Sequence, residues 1–272
     1  MVSELGALAL LQLILAAAAL LYARGVHVLW KSAGRGRGIR PAQAARFALG
    51  WVALAAALVA LDELADRSFA VHMVEHELLM VVAAPLLVLG RPLEAWAWAL
   101  PRAWIRAVSR MGRSLALSAG WRCITEPVGA WTFHAAALWL WHLPVLFDAA
   151  LADERIHVLQ HACFLGSALA YWWAVFGRGA RAPDGASLAS LFTTLLHTSA
   201  LGALLTLAPT TWYAPYGDAH PFGLTPLEDQ QLGGLVMWVP GAAAYLFAAL
   251  AIMARLLAPA TPAVPLPLRS DA

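Results

Sequence analysis

The chain has 272 residues, of which 61% are apolar and 12% charged, and its mean hydropathy is +0.68. Soluble domains carry about 25% charged residues, so this composition excludes an ordinary water-soluble globule. The formal net charge of +2 is too small to indicate nucleic-acid binding, and two cysteines cannot form a disulfide framework. The composition therefore predicts a polytopic membrane protein embedded in the lipid bilayer.

Seven long apolar runs predict seven transmembrane helices, because about 20 mostly apolar residues cross a bilayer. The runs are 5–23, 47–61, 71–89, 128–147, 156–176, 187–208 and 233–257. They predict an all-α fold with a single transmembrane domain over residues 1–258 and a disordered, proline-rich tail at 259–272. Gly233 and Gly234 predict a close approach of the last helix to a neighbour.

The charges of the connecting segments predict the orientation of the helices. Fifteen of the eighteen Lys and Arg residues fall in alternate loops and in the tail, whereas the opposite loops carry nine acidic residues. Because basic loops face the cytoplasm, we expect the N-terminus outside and the C-terminus inside. Segment 91–122 is too polar to span the bilayer and mixes tryptophan with arginine, a pattern typical of an amphipathic helix in the cytoplasmic headgroup layer.

Histidines mark the candidate site. His72 and His76 are four residues apart at the outer start of the third run, and His157 and His161 have the same spacing at the outer start of the fifth. This spacing places two rings on one helix face, about 6 Å apart along the axis. His142 ends the fourth run at the same level. The sequence therefore predicts that five histidines from three helices converge near the outer surface as metal or haem ligands.

Other side chains near the histidines indicate which ion would bind. Thioether, thiol and imidazole groups together suit Cu(I), although zinc also accepts histidine. Carboxylates there can orient imidazole N–H groups or attract cations. The additional candidate ligands or orienting groups are Met73, Glu75, Met80, Cys163, Asp229 and Met237.

Several alternatives remain open from these residues. A haem protein or haem-modifying enzyme would use the same histidines as axial ligands, for example His76 with His161, and would show a Soret band. A transporter would need a polar path, for which only the deeper His134 and His197 are available. In a purely structural scaffold the histidines would be packing groups. No nucleophile and base occur in a known catalytic spacing, so an enzyme is not expected.

The outer loop before the seventh run carries aromatic residues. Trp212, Tyr213 and Tyr216 lie near His220. Aromatic residues of this kind are typical of a membrane-interface belt, and this is the role that the sequence predicts for them.

Four segments resemble the CtaG family of cytochrome c oxidase assembly factors, which serve caa-type oxidases. They are HMVEHELLMVVAAPLLVLGRPL (72–93), WHLPVLFDAAL (141–151), HVLQHACFL (157–165) and PLEDQQLGGLVMW (226–238). They occur in the family's order, and the resemblance extends over essentially the whole chain. Glu77 departs from the uncharged residue expected beside His76.

The resemblance implies a seven-span protein of the bacterial plasma membrane that helps to assemble haem-copper oxidase. Its expected partners are one or more oxidase subunits and an extracytoplasmic copper chaperone. The motif positions that carry over are His72, His76, His142, His157, His161 and Asp229. A role for the histidines as copper ligands is inferred from their chemistry and placement.

Overall fold

A computed structural model describes residues 2–112, 115–176, 185–213, 216 and 222–257 of the protein. The described residues contain helices and connecting loops but no strand. The helices are α1 (Val2–Ala33), α2 (Pro41–Ala65), α3 (Phe69–Leu89), α4 (Pro92–Ala99), α5 (Arg102–Gly112), α6 (Leu115–Thr125), α7 (Pro127–Trp141), α8 (Pro144–Ala152), α9 (Glu154–Phe176), α10 (Gly185–Thr206) and α11 (Pro226–Leu257). The fold class is all-α, as the sequence predicts. The tail predicted to be disordered, 259–272, lies outside the described residues.

Within the described ranges, five helices are long and apolar enough to cross a membrane, or six if α7 and α8 form one broken span. The five are α1, α2, α3, α10 and α11. Helix α9 is also long enough, with 23 residues. Its first turns carry the second histidine pair and Gln160, which make it more polar than the others. The several apolar helices indicate a membrane protein, with five to six candidate spans where the sequence predicts seven.

The fourth predicted span is divided in two. Helix α7 ends at Trp141, α8 begins at Pro144, and the two axes differ by 74°. A proline disfavours helical geometry in the residue before it but is well suited to the first turn of a new helix. Leu143 accordingly has extended backbone, and His142 caps the end of α7. The run 128–147 is therefore a broken segment that presents His142 at the bend.

Three long helices each contain one π-helical turn. These turns are Ala56–Leu61 in α2, Leu78–Ala83 in α3 and Met237–Gly241 in α11. A π turn inserts one extra residue and is often found next to functional sites. The turn in α3 directly follows the first histidine pair. It is held by the indole of Trp172 on α9, whose Nε1–H donates to the carbonyl of Met80 at 2.8 Å.

Helix α3 occupies the middle of the bundle. It packs against α2 on one side, α9 on another and α11 on a third. Helix α10 packs along α11 and also touches α7, while α8 lies against α9. The N-terminal half of α3 is therefore enclosed by helices that carry other candidate site residues.

Segment 91–122 forms three short helices. The first, α4, packs against α1, where the indole of Trp96 donates to the carbonyl of Ala18 at 3.2 Å. The second, α5, has Arg102, Arg106 and Arg110 on one face and exposed Trp104 on the opposite face. The amphipathic pattern predicted for the whole segment is thus found in α5, whereas α4 is a packing helix.

Glycines bring α10 and α11 into backbone contact, as the sequence predicts for Gly234. A Cβ placed on Gly234 would lie 2.5 Å from the Thr206 nitrogen, and one on Gly202 would lie 2.8 Å from the Trp238 nitrogen. Small residues allow such close packing, which is a main source of association between membrane helices.

We expect Gly234→Ala to destabilise the protein, because its methyl group would overlap backbone atoms that cannot move independently. The loss should be about 1–3 kcal/mol, as for other overpacked interiors, and is measured as a lower midpoint of thermal unfolding in detergent. Gly166→Ala is the control, since a Cβ there meets nothing within 4 Å. Equal midpoints for the two variants would contradict the role of this contact.

Candidate metal centre

Three histidines form a group with the spacing of a metal site. His72 lies on α3, and His157 and His161 lie one turn apart on α9. One ring nitrogen from each lies within 4.8 Å of the other two. His72 and His161 are buried, and His157 is half-buried. Imidazole nitrogens at this separation can bind one ion together.

The other two predicted histidines lie beside this group. The Nε2 atoms of His72 and His76 are 3.0 Å apart, and the rings of His76 and His142 are centred 6.2 Å apart. His142 Nδ1 lies 2.7 Å from the carbonyl of Leu138. Since a carbonyl only accepts, Nδ1 carries the proton and Nε2 keeps its lone pair. A backbone contact of this kind orients an imidazole for metal binding.

Two tyrosines of the segment between α10 and α11 contact the site. The hydroxyl of Tyr216 lies 3.0 Å from Nδ1 of His72, and Tyr213 donates to the carbonyl of His142 at 3.0 Å. Both are buried, so the interface-belt interpretation is wrong for them. Burial raises the pKa of each phenol above its ordinary value, which keeps the hydroxyl protons in place. Such contacts depend on tertiary packing, and the sequence carries no local signal for them.

Asp229 anchors the start of α3. Its carboxylate accepts from the hydroxyl of Ser68 at 2.8 Å and from the backbone nitrogens of Phe69 and Ala70 at 2.6 and 3.3 Å. A negative charge at a helix N-terminus satisfies donors that have no partner within the helix. The structure therefore places this candidate residue at the helix end, where it fixes the position of His72 one turn further along.

Glu75 lies among the histidines. Its side chain is completely buried, and neither carboxylate oxygen has a hydrogen-bond partner among the described residues. One of these oxygens lies 3.7 Å from Nε2 of His161. The next acidic residue, Glu77, points elsewhere, since its carboxylate oxygens lie against Gly241 on α11.

The predicted sulfur ligands are distributed differently. Met73 and Met237 are buried in an apolar cluster with Phe69 and Phe147. Met80 belongs to the separate main core. Cys163 is a partly exposed free cysteine, two residues beyond His161 and hence about 200° around the helix from it. The group whose ligand atoms lie within 4.8 Å of one another consists of three imidazoles and does not include the thiol of Cys163.

Acidic groups surround the most accessible of the five histidines. His157 lies within the electrostatic influence of three carboxyl groups, those of Asp62, Asp66 and Glu154. Partial burial, together with the charge of Asp62, raises the pKa of Asp66. A concentration of carboxylates raises the local concentration of cations.

The deeper histidines occupy a different environment. His134 is buried, with Nδ1 3.1 Å from the hydroxyl of Ser167 and Nε2 3.1 Å from that of Tyr245. Both nitrogens are therefore engaged in helix packing. The ring of His197 lies edge-on to Trp131, 5.7 Å away.

The comparisons with known proteins identify the family. Residues 20–258 match the family model described as cytochrome c oxidase caa3 assembly factor, Caa3_CtaG. The chain belongs to this family. No curated protein and no solved structure gives a match. Family membership makes the oxidase the expected partner, in agreement with the resemblance found in the sequence.

We expect Tyr216→Phe to weaken metal binding at the histidines, because the ring of His72 would lose the group that orients it. Loss of such an outer contact typically lowers metal affinity 10–100-fold, which a competition titration with a chromogenic chelator measures. Tyr22→Phe is the matched control, since its hydroxyl donates to the backbone carbonyl of Gly90, which is not part of the histidine site. Unchanged affinity in Tyr216→Phe would argue against this orienting role.

Proposed function

We propose that this Caa3_CtaG family member assists oxidase assembly by holding a copper ion at His72, His157 and His161 and passing it to the oxidase. The observation that supports this is the convergence of three imidazole nitrogens within 4.8 Å of one another. His76 and His142 add two further imidazoles next to this group. Copper is the metal that a haem-copper oxidase requires, and imidazole is a suitable ligand for it.

Delivery requires that the ion enter and leave by ligand exchange. The partly exposed His157 and its acidic neighbours would form the entrance, and the buried His72 and His161 the interior of the site. A copper chaperone outside the membrane would supply the ion there, and an oxidase subunit would accept it. On this proposal the protein is not an enzyme, because the ion is transferred without any chemical turnover.

A small ion agrees better with the crowding of the rings than haem does. The proposed axial pair, His76 and His161, stand edge to face with centroids 5.2 Å apart. His72 lies beside both, with centroids 4.4 and 6.0 Å away. A porphyrin inserted between this pair would have to displace the third ring. This favours metal-ion binding over the haem alternative.

The proposal includes the arrangement in the membrane. With α9 and the broken segment α7–α8 each counted as a span, the protein has seven. The positive-inside rule then places the N-terminus outside, the C-terminus in the cytoplasm and the histidines at the outer side of the bacterial plasma membrane. The arginine face of α5 would lie against the cytoplasmic headgroups.

We expect protein purified in detergent after growth with copper to contain about one equivalent of copper and to lack a Soret band. Replacing His72, His157 and His161 together by alanine should abolish the copper, because all three nitrogen donors of the group are removed. Metal analysis and the visible spectrum measure both quantities. The control is His27→Ala, an exposed histidine of α1. A Soret band lost in the triple variant would instead support the haem alternative.

A second prediction concerns the oxidase itself. In cells that lack the native protein, the triple histidine variant should leave oxidase subunits present but copper-deficient and with reduced activity, whereas His27→Ala should restore activity. Both variants must first be shown to accumulate to wild-type levels in the membrane. Full activity with the triple variant would indicate that the protein acts through partner contacts alone.

A further inference from the structure

We infer that Glu75 is the fourth ligand of the histidine site and that the site therefore takes a divalent ion, Cu(II), in preference to Cu(I). This inference rests on the proposed metal-binding function. It adds that the bound ion is divalent. It differs from the sequence-based expectation of Cu(I), which depended on sulfur ligands.

The position of Glu75 on α3 supports this assignment. It is three residues after His72 and so lies about 60° from it around the helix, on the side away from His76. His72 is thus flanked by a carboxylate and an imidazole on one helix face. The same carboxylate is 3.7 Å from Nε2 of His161 on α9. The Glu75 carboxylate consequently lies beside one histidine of the group on each helix, His72 on α3 and His161 on α9.

The burial of Glu75 supplies the energetic argument. Both carboxylate oxygens are buried and have no hydrogen-bond partner within the described part of the chain. A polar group in that condition is costly, and acidic residues within membrane helices are usually associated with a partner or a function. His161, whose Nε2 lies within ion-pair distance of Glu75, is itself a candidate ligand. A bound cation would give these oxygens the partner that the protein does not provide.

The donor set determines the class of ion. Three imidazoles and a carboxylate are donors for Zn(II) and Cu(II), whereas Cu(I) prefers thiolate and thioether ligands. The candidate sulfur groups lie in apolar clusters or, for Cys163, on another face of α9. Among divalent first-row ions, Cu(II) binds most tightly to a given nitrogen and oxygen site. A carboxylate charge also attracts a divalent ion more strongly than a monovalent one.

The test compares Glu75→Gln with Glu77→Gln in the detergent-purified full chain. Both changes remove one carboxylate from the same helix, but Glu77 is half-buried and its oxygens lie against Gly241 on α11. Affinities for Cu(II), Zn(II) and, under reducing conditions, Cu(I) are measured by competition with chelators. We expect Glu75→Gln to weaken Cu(II) and Zn(II) binding at least tenfold more than Cu(I) binding. Glu77→Gln should change none of the three by more than about threefold.

A measurement on the wild-type protein keeps the inference testable if Glu75→Gln does not fold. X-ray absorption of the copper-loaded protein should show a first shell of nitrogen and oxygen without sulfur. A sulfur shell, equal effects of the two glutamine variants, or equal losses for Cu(I) and Cu(II) would overturn the inference while leaving copper binding intact. If the wild type binds neither form of copper, the proposed function itself fails.

Discussion

The contact between Asp229 and the first turn of α3 fixes the geometry on which the site depends. It joins the start of α11 to the helix that carries His72, Glu75 and His76, and it satisfies the buried hydroxyl of Ser68 together with two backbone donors. Unsatisfied donors are expensive away from water, so the position of α3 along α11 is strongly determined. This contact therefore also determines how far along the bundle axis the three site residues of α3 lie.

The candidate site combines polar groups that an apolar protein interior does not readily accept. Five imidazoles and a carboxylate lie between helices, and His142 is the one of these five whose tautomer is fixed by a backbone hydrogen bond within the described part of the chain. The remaining polar atoms include several without partners among the residues described. In contrast, the deeper His134 has both nitrogens engaged by Ser167 and Tyr245. This difference distinguishes a cluster that contains unpaired buried polar atoms from a packing contact in which both ring nitrogens are paired.

The histidines could be predicted because their signal is local: a spacing of four places two rings on one face whatever the neighbouring helices do. The all-helical class was likewise evident from the apolar runs. The roles of Tyr216 and Asp229 could not be predicted, since they depend on how the loop before α11 and α11 itself pack on α3. Cys163 is two residues beyond His161 in sequence, but that spacing places it on a different face of α9. In helix α9 the requirements of the site and of a membrane span conflict, because the polar site residues lower the hydropathy by which a span is recognised.

The π turn at Leu78–Ala83 separates the histidine-bearing half of α3 from the half that packs in the main core. Such a turn accommodates one residue more than a regular helix would. Because the turn already absorbs that extra residue, deleting a single codon in this stretch would restore regular α-helical geometry and leave the two halves of α3 in nearly the same register. A one-residue deletion in a regular part of the helix would instead rotate one half against the other by about 100°. In this family, a one-residue alignment gap at this turn is therefore compatible with an unchanged site, whereas such a gap elsewhere in the third helix is not.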